Sequence, residues 1–136
     1  MAAAGVTLVD LEFDTGARGG AMLGDIGSSL VSIDELLRDL ASITADPDSA
    51  EFRNVEIAAI EMRSPLKIRL SLFGISPAAV AAFQGICRDI ILRRGFSAPE
   101  GIAVRITDQE ARRLQGHVAA LQNAAIPLKR IEVKDA

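Results

Sequence analysis

The chain contains one histidine and one cysteine, and these are the first residues to consider for catalysis. His117 lies at the margin of the apolar stripe of a predicted helix, and Cys87 lies among isoleucines in another. A catalytic histidine needs a nucleophile and an orienting group beside it, and a metal site needs several ligands. A reactive thiolate needs an exposed, electropositive setting. Neither residue meets its requirement, so we predict a boundary or surface histidine, a buried structural thiol and no catalytic residue.

Three carboxylates align on one face of the first predicted strand. Asp10, Glu12 and Asp14 alternate there with apolar residues. Carboxylate oxygens are ligands for divalent cations, so the row could hold a metal ion. A solvated strand face is a much commoner role for such a pattern. We therefore predict no metal site and keep the three acids as candidate interaction residues.

Three dibasic pairs stand in the second half of the chain: Arg93-Arg94, Arg112-Arg113 and Lys129-Arg130. If the pairs converge in the fold, they could bind phosphates, RNA or an acidic protein face. Each pair also has an ordinary role, as charge at a helix C-terminus, on a solvated helix face or along a sheet edge. The net charge is −3 and no nucleic-acid-binding motif is present. Nucleic-acid binding is therefore an alternative that we do not favour.

A glycine-rich segment follows the first predicted strand. Residues 15–27 contain five glycines, and a loop of this kind before a helix can bind phosphate. The spacing fits neither the dinucleotide-binding fingerprint nor the P-loop, and Asp25 adds negative charge where a phosphate would lie. A turn or short hairpin around Ala21-Met22-Leu23 is the better interpretation. The pattern leaves open whether residues 16–27 bind a ligand.

Length and composition indicate a single domain, residues 1–136, with an aliphatic core. Hydrophobic residues make up 49% of the chain, but neither Trp nor Tyr occurs. This composition argues against an aromatic stacking platform for single-stranded nucleic acid. Neither a signal peptide nor an apolar run long enough for a membrane span is visible. We expect a cytoplasmic protein that does not bind membranes, and the excess of Arg over Lys suggests a bacterial source.

Charge is distributed unevenly along the chain. Residues 1–61 carry twelve acidic and three basic side chains, whereas residues 62–136 carry twelve basic and six acidic ones. The net charges of the two halves are therefore −9 and +6. Such asymmetry can indicate an electrostatic partner. Folding that intermingles the halves would cancel most of the field, and we favour that interpretation.

The stretch from Val55 to Gly74 is predicted to carry the fold. In residues 66–72 apolar and polar side chains alternate, as in a strand with one buried face. Residues 55–62 change parity partway, which fits a strand covered on both faces or one with a bulge. Pro65 suits a turn, so residues 63–66 are predicted to connect a hairpin. One long bent edge strand is the alternative.

Three helices are predicted around this stretch. The first begins at the capping box Ser32–Glu35 and ends near Thr44. The second runs from the N-cap Ser76 to Arg93-Arg94-Gly95. The third opens at a second capping box, residues 107–110, and ends at Ile126-Pro127; Gly116 in its interior suggests a close helix contact. Further strands are predicted at residues 6–14, 102–106 and 128–133, the last of them an edge strand protected by basic residues.

The predicted order is β-α-β-β-α-β-α-β, a two-layer α+β sandwich with a mainly antiparallel sheet and helices on one face. The second helix is apolar over much of its circumference, so we expect cover from outside the monomer. A non-enzymatic protein–protein interaction or self-assembly module, either a homo-oligomer or a protein bound to a partner, is the leading hypothesis. The alternatives are nucleic-acid or phosphate-ligand binding by the basic half, and a small enzyme whose site is completed at a subunit interface. No cofactor is predicted.

Overall fold

The computed structural model describes residues 6–15, 23–44, 54–61, 65–98 and 106–135. Within these ranges the chain forms four strands and three helices. In chain order they are β1 (Val6–Phe13), α1 (Leu23–Ile43), β2 (Asn54–Glu61), β3 (Leu66–Phe73), α2 (Pro77–Ile91), α3 (Asp108–Gln122) and β4 (Leu128–Asp135). The predicted strand at 102–106 lies, except for Ile106, outside the described residues, so the described order has one strand fewer than the predicted one.

The strands form one antiparallel sheet in the order β2-β3-β1-β4. The predicted α+β class is confirmed. Alternate side chains of β1 and β3 are buried on the face that the helices cover. That inner face and the apolar stripes of the helices share one aliphatic core, which includes Val9, Leu11, Phe13, Leu36, Leu40, Ile68, Leu70, Phe83, Ile86 and Leu114.

The central hairpin is confirmed, and the single bent strand is excluded. β2 and β3 pair antiparallel from Asn54 opposite Phe73 to Glu61 opposite Lys67. The register shifts between Ile57 and Ala59, which identifies the bulge that the change of parity indicated. Because a bulge moves one residue out of the ladder, Ile57 and Ile60 both come to lie on the inner face, opposite buried Leu70 and Ile68.

Two of the predicted helix starts are confirmed by their caps. The Ser76 hydroxyl accepts a hydrogen bond from the Ala79 amide at 3.1 Å, at the start of α2. At the start of α3 the capping box is complete: the Glu110 amide donates to the Thr107 hydroxyl at 3.1 Å, and the Thr107 amide donates to the Glu110 carboxylate at 2.9 Å. These local contacts are encoded within four residues of sequence.

The predicted start of the first helix is wrong. α1 begins at Leu23, nine residues before Ser32, and passes through the expected capping box without interruption. Ile26 and Ser29 are buried ahead of Ile33, so the buried stripe begins near the N-terminus of the helix. Tertiary burial outweighs the low helix propensity of the glycines in this segment. The predicted turn at Ala21-Met22-Leu23 is wrong at Leu23, which lies in α1. Residues 16–22 lie outside the described residues.

The end of α2 also differs from the prediction. The helix ends at Ile91, and Arg93 rather than Gly95 takes the left-handed conformation, with φ at 58°. The Arg94 amide donates to the Asp89 carbonyl at 2.8 Å, and the Arg93 amide donates to the Ile90 carbonyl at 3.1 Å. These two bonds form a Schellman motif, in which glycine is the usual residue at the position of Arg93.

Two predictions about helix surfaces are corrected. A β-carbon at Gly116 would meet no neighbouring atom within 4 Å, so this glycine does not mark a close helix contact. The large apolar side chains of α2 are covered within the monomer: Phe83, Ile86 and Ile90 are buried. Most of the apolar surface of α2 is therefore covered within the monomer. The large apolar side chains that are exposed in the described ranges are Leu23, Val31, Ile57, Ile60 and Leu92, the last of them at the C-cap of α2.

Candidate functional site

The carboxylate row of β1 is neutralised by basic side chains on the neighbouring strands. Asp10 accepts two hydrogen bonds from the Arg69 guanidinium, at 2.6 and 3.0 Å, and the Lys134 ammonium lies 3.7 Å from it. The hydrogen bond from Arg69 lowers the pKa of Asp10 and outweighs the opposing effect of burial. Glu12 lies 3.4 Å from Arg130. These acids belong to ion pairs on the outer, helix-free face of the sheet.

Asp14 does not join this row. It follows the end of β1, and its amide donates to the Pro127 carbonyl at 2.9 Å. No cluster of three or more potential metal ligands occurs in the part of the chain that the structure describes. Asp10 and Glu12 therefore fit a surface of ion pairs.

The outer face of the sheet forms a shallow groove of about 430 Å³. Both signs of charge line it, with Asp10, Glu12 and Glu132 beside Lys67, Arg69 and Arg130. A groove lined by paired charges of both signs has no strong field of one sign to attract a charged small molecule.

His117 belongs to a cluster of charged side chains between α1 and α3. Its Nε2 atom lies 2.8 Å from Asp39, and its Nδ1 atom lies 3.6 Å from Glu35. The Arg113 guanidinium donates to both oxygens of Asp39. The imidazole is mostly buried, with 16% of its side chain exposed, as predicted for a boundary residue.

The surroundings of Asp39 keep it ionised. Burial alone would raise its pKa, but hydrogen bonds from Arg113 and His117 outweigh burial and hold the pKa below the usual value of 3.8. Both ring nitrogens of His117 face carboxylates. The cluster links α3 to α1 in this geometry.

Cys87 is a buried structural thiol, as predicted. It is fully buried in α2, and burial strongly raises the pKa of its thiol. A thiol that stays protonated and inaccessible is inert as a nucleophile.

The dibasic pairs lie on three different elements. Arg93 and Arg94 follow the C-terminus of α2, and the Arg94 carbonyl accepts a hydrogen bond from Gln122 at the end of α3. Arg112 and Arg113 lie about ten residues earlier in α3, roughly 15 Å along the helix axis. Lys129 and Arg130 lie on β4. The fold thus does not bring the three pairs together into one basic patch.

Folding intermingles the acidic and basic halves of the chain. Asp10 pairs with Arg69, Glu12 with Arg130, and Asp39 with Arg113, each across the boundary between the two halves. The sequence asymmetry of −9 and +6 is therefore reduced by direct ion pairs, as we favoured.

The two edges of the sheet differ in chemistry. β2 forms one edge, and its middle, Ile57-Ala58-Ala59-Ile60, carries no charge. Ile57 and Ile60 are 53% and 45% exposed, although they lie in register with core residues. Among the described elements, β3 is the only one with extensive contact to β2. The predicted hairpin does not identify β2 as an edge; the absence of charge at the centre of β2 is the signal that the sequence offers.

β4 forms the opposite edge and is rich in charge. Lys129, Arg130 and Lys134 are exposed, as predicted for a protected edge strand, and alternate with half-buried Ile131 and Val133. Charges of this kind discourage unselective strand pairing. The contrast makes β2 the candidate docking edge of the described sheet.

None of the helices within the described ranges is both long enough and apolar enough to cross a membrane. Comparison of the chain with protein-family models, curated proteins and solved structures finds no match.

Proposed function

We propose that this protein is a non-enzymatic self-assembly module of a cytoplasmic bacterial system and that it associates through the β2 edge of its sheet. The observation that carries the proposal is the uncharged centre of β2, with Ile57 and Ile60 exposed beside a strand edge that no other described strand pairs with. An edge strand offers a row of backbone donors and acceptors to another strand. Monomeric proteins commonly protect such an edge with charge, which here is present on β4.

Apolar burial and backbone hydrogen bonding would both stabilise association through the β2 edge. Full burial of an isoleucine contributes about 1.5–3 kcal/mol relative to full exposure. Ile57 and Ile60 are each about half exposed, so covering both contributes on the order of 2 kcal/mol before any hydrogen bond is counted. An added strand also satisfies the outward amide and carbonyl groups of β2.

The side chains with catalytic potential support a non-enzymatic role. The nitrogens of His117 face Asp39 and Glu35, and the thiol of Cys87 is enclosed in the core. The ion pairs of Arg113 and Arg130 with acids of the same chain leave less basic surface for a nucleic acid.

Sedimentation velocity at increasing protein concentration tests the proposal. We expect the wild-type protein to associate at tens of micromolar in low salt, and Ile57→Lys to abolish that association because a charge at the edge opposes pairing. Val31→Lys is the matched control, since Val31 is 57% exposed but lies on α1. A wild-type protein that stays monomeric, or equal losses in both variants, would contradict the proposal.

A further inference from the structure

We infer that the assembly is head to tail: β2 of one copy pairs with β4 of the next copy, in one register, so that the antiparallel sheet continues from molecule to molecule. This inference rests on the proposed function, because it specifies what covers the β2 edge. The inference follows from the direction of the strands and from the side chains at the two ends of each row. A row is a set of residues that lie opposite one another across the four strands.

Strand direction permits the pairing. β2 is antiparallel to β3, β3 to β1, and β1 to β4, so β2 and β4 run in opposite directions. A second copy displaced sideways along the sheet therefore presents its β4 antiparallel to β2 of the first. Within the described residues, no strand occupies the outer edge of either β2 or β4.

The apolar rows of the inner face match across this junction. One row runs Ile60, Ile68, Leu11 and Ile131, and the next runs Ile57, Leu70, Val9 and Val133. Continuing each row into the next copy, with the bulge of β2 between Ile57 and Ala59 retained, places Ile60 opposite Ile131 and Ile57 opposite Val133. The two exposed isoleucines of β2 then meet the two half-buried aliphatic residues of β4.

The charged rows of the outer face match in the same register. One row runs Glu61, Lys67, Glu12 and Arg130, alternating in sign from edge to edge. Its continuation places Glu61 of the next copy beside Arg130, and the sign alternation is unbroken. A second row ends in Glu56 on β2 and Lys134 on β4, so it too joins an acid to a base.

The other pairings of β2 lack this complementarity. A shift of the register by two residues in one direction brings Glu61 opposite Glu132, and a shift by two in the other direction brings Glu56 opposite Glu132. A shift by one residue would place the apolar side chains of one strand on the charged face of the other. Pairing of β2 with β2 brings together strands whose only charged residues are Glu56 and Glu61, so no acid meets a base. The contact between β2 and β4 is heterologous and leads to a ring or a filament.

Cysteine pairs test the register directly. Glu61→Cys and Arg130→Cys are introduced in separate chains, which are purified, mixed and oxidised. Directly opposed residues of an antiparallel pair have β-carbons about 4.5–5.5 Å apart, near the range in which a disulfide forms. We expect several-fold more disulfide-linked dimer from the mixture than from either variant alone. The native Cys87 is buried and is not expected to compete.

A chain that carries both substitutions gives a second readout. Residues 61 and 130 lie on opposite edges of a four-stranded sheet, roughly 14 Å apart, which is too far for a bond within one molecule. Oxidation is therefore expected to give a ladder of covalent dimers, trimers and longer species. Circular dichroism confirms that each variant is folded; the native side chain of Arg130 is 65% exposed, so its replacement removes little packing.

The possible outcomes separate this inference from the proposed function. The matched control is the mixture of Glu61→Cys with Glu132→Cys, which represents the register shifted by two and should cross-link much less. Efficient dimers from Glu61→Cys alone would overturn the head-to-tail inference and leave assembly through β2 intact. If association depends on Ile57 but no cross-link forms between residues 61 and 130, the head-to-tail inference is likewise overturned and assembly through β2 stands. A wild-type protein that stays monomeric would overturn both the head-to-tail inference and the proposed function.

Discussion

Arg93 holds a backbone conformation that is unusual for any residue with a side chain. Among the described residues it is the one non-glycine position with positive φ. The left-handed region costs an L-residue about 1–2 kcal/mol. The Schellman hydrogen bonds that end α2 require this conformation, so the cost is inherent in the native state.

Arg93→Gly is expected to raise the free energy of unfolding by about 0.5–1 kcal/mol, because relief of strain exceeds the added flexibility of the unfolded chain. Urea denaturation measures the change. Arg94→Gly is the control, since Arg94 is adjacent and similarly charged but has no positive φ. Equal stability changes in the two variants would show that strain at Arg93 does not limit stability.

Asp39 links folding to pH. Its pKa is lower in the folded protein than the usual value of 3.8, so its charged form stabilises the fold above that value. This contribution is lost as the pH falls through the folded-state pKa. The same argument holds for Asp10, whose pKa Arg69 lowers.

Asp39→Asn is expected to destabilise the protein by on the order of 1–3 kcal/mol at neutral pH, because charged hydrogen bonds to Arg113 and His117 are weakened. The free energy of unfolding of the wild type should fall more steeply than that of the variant as the pH falls below about 4 toward the folded-state pKa of Asp39. Chemical denaturation at several pH values measures both slopes. Parallel slopes would rule out Asp39 as a contributor to acid sensitivity.

Among the helices and strands, the predictable parts are those that local sequence encodes. The β2–β3 hairpin, the bulge and the caps of α2 and α3 depend on residues a few positions apart. The start of α1 depends instead on tertiary burial, and the end of α2 depends on which residue takes the left-handed conformation. The stripe that buries Ile26 outweighs the glycines, and the left-handed turn falls on Arg93 although Gly95 lies two residues away. The local sequence pattern does not show whether burial or low glycine propensity prevails in α1, or which residue takes the left-handed conformation after α2.

The two capping boxes therefore make contrasting predictions. Thr107→Ala should lower the free energy of unfolding by about 1 kcal/mol, because it removes a cap that the structure contains. Ser32→Ala should leave stability unchanged or raise it slightly, because Ser32 lies inside α1 and alanine is the better helix former. Thermal denaturation of both variants measures the difference. A larger loss at Ser32 than at Thr107 would contradict the assignment of the helix starts.

For the molecule as a whole, the order of strands determines which surfaces are available. β1 lies between β3 and β4, which leaves β2 and β4 at the edges of the sheet that the described strands form. The sequence predicts a two-layer sheet with helices on one face, but long-range pairing decides the neighbours of each strand. The apolar sequence of α2 therefore predicts a need for outside cover at that helix, whereas the exposed isoleucines lie on β2.

Hydrogen exchange tests assembly through the β2 edge at the level of the backbone, because strand pairing protects amides. The experiment compares exchange of residues 54–61 and 128–135 at two protein concentrations, one dilute and one at tens of micromolar. We expect slower exchange in both segments at the higher concentration, and no such change in Ile57→Lys. Exchange in β2 that is rapid and identical at both concentrations would contradict assembly through this edge.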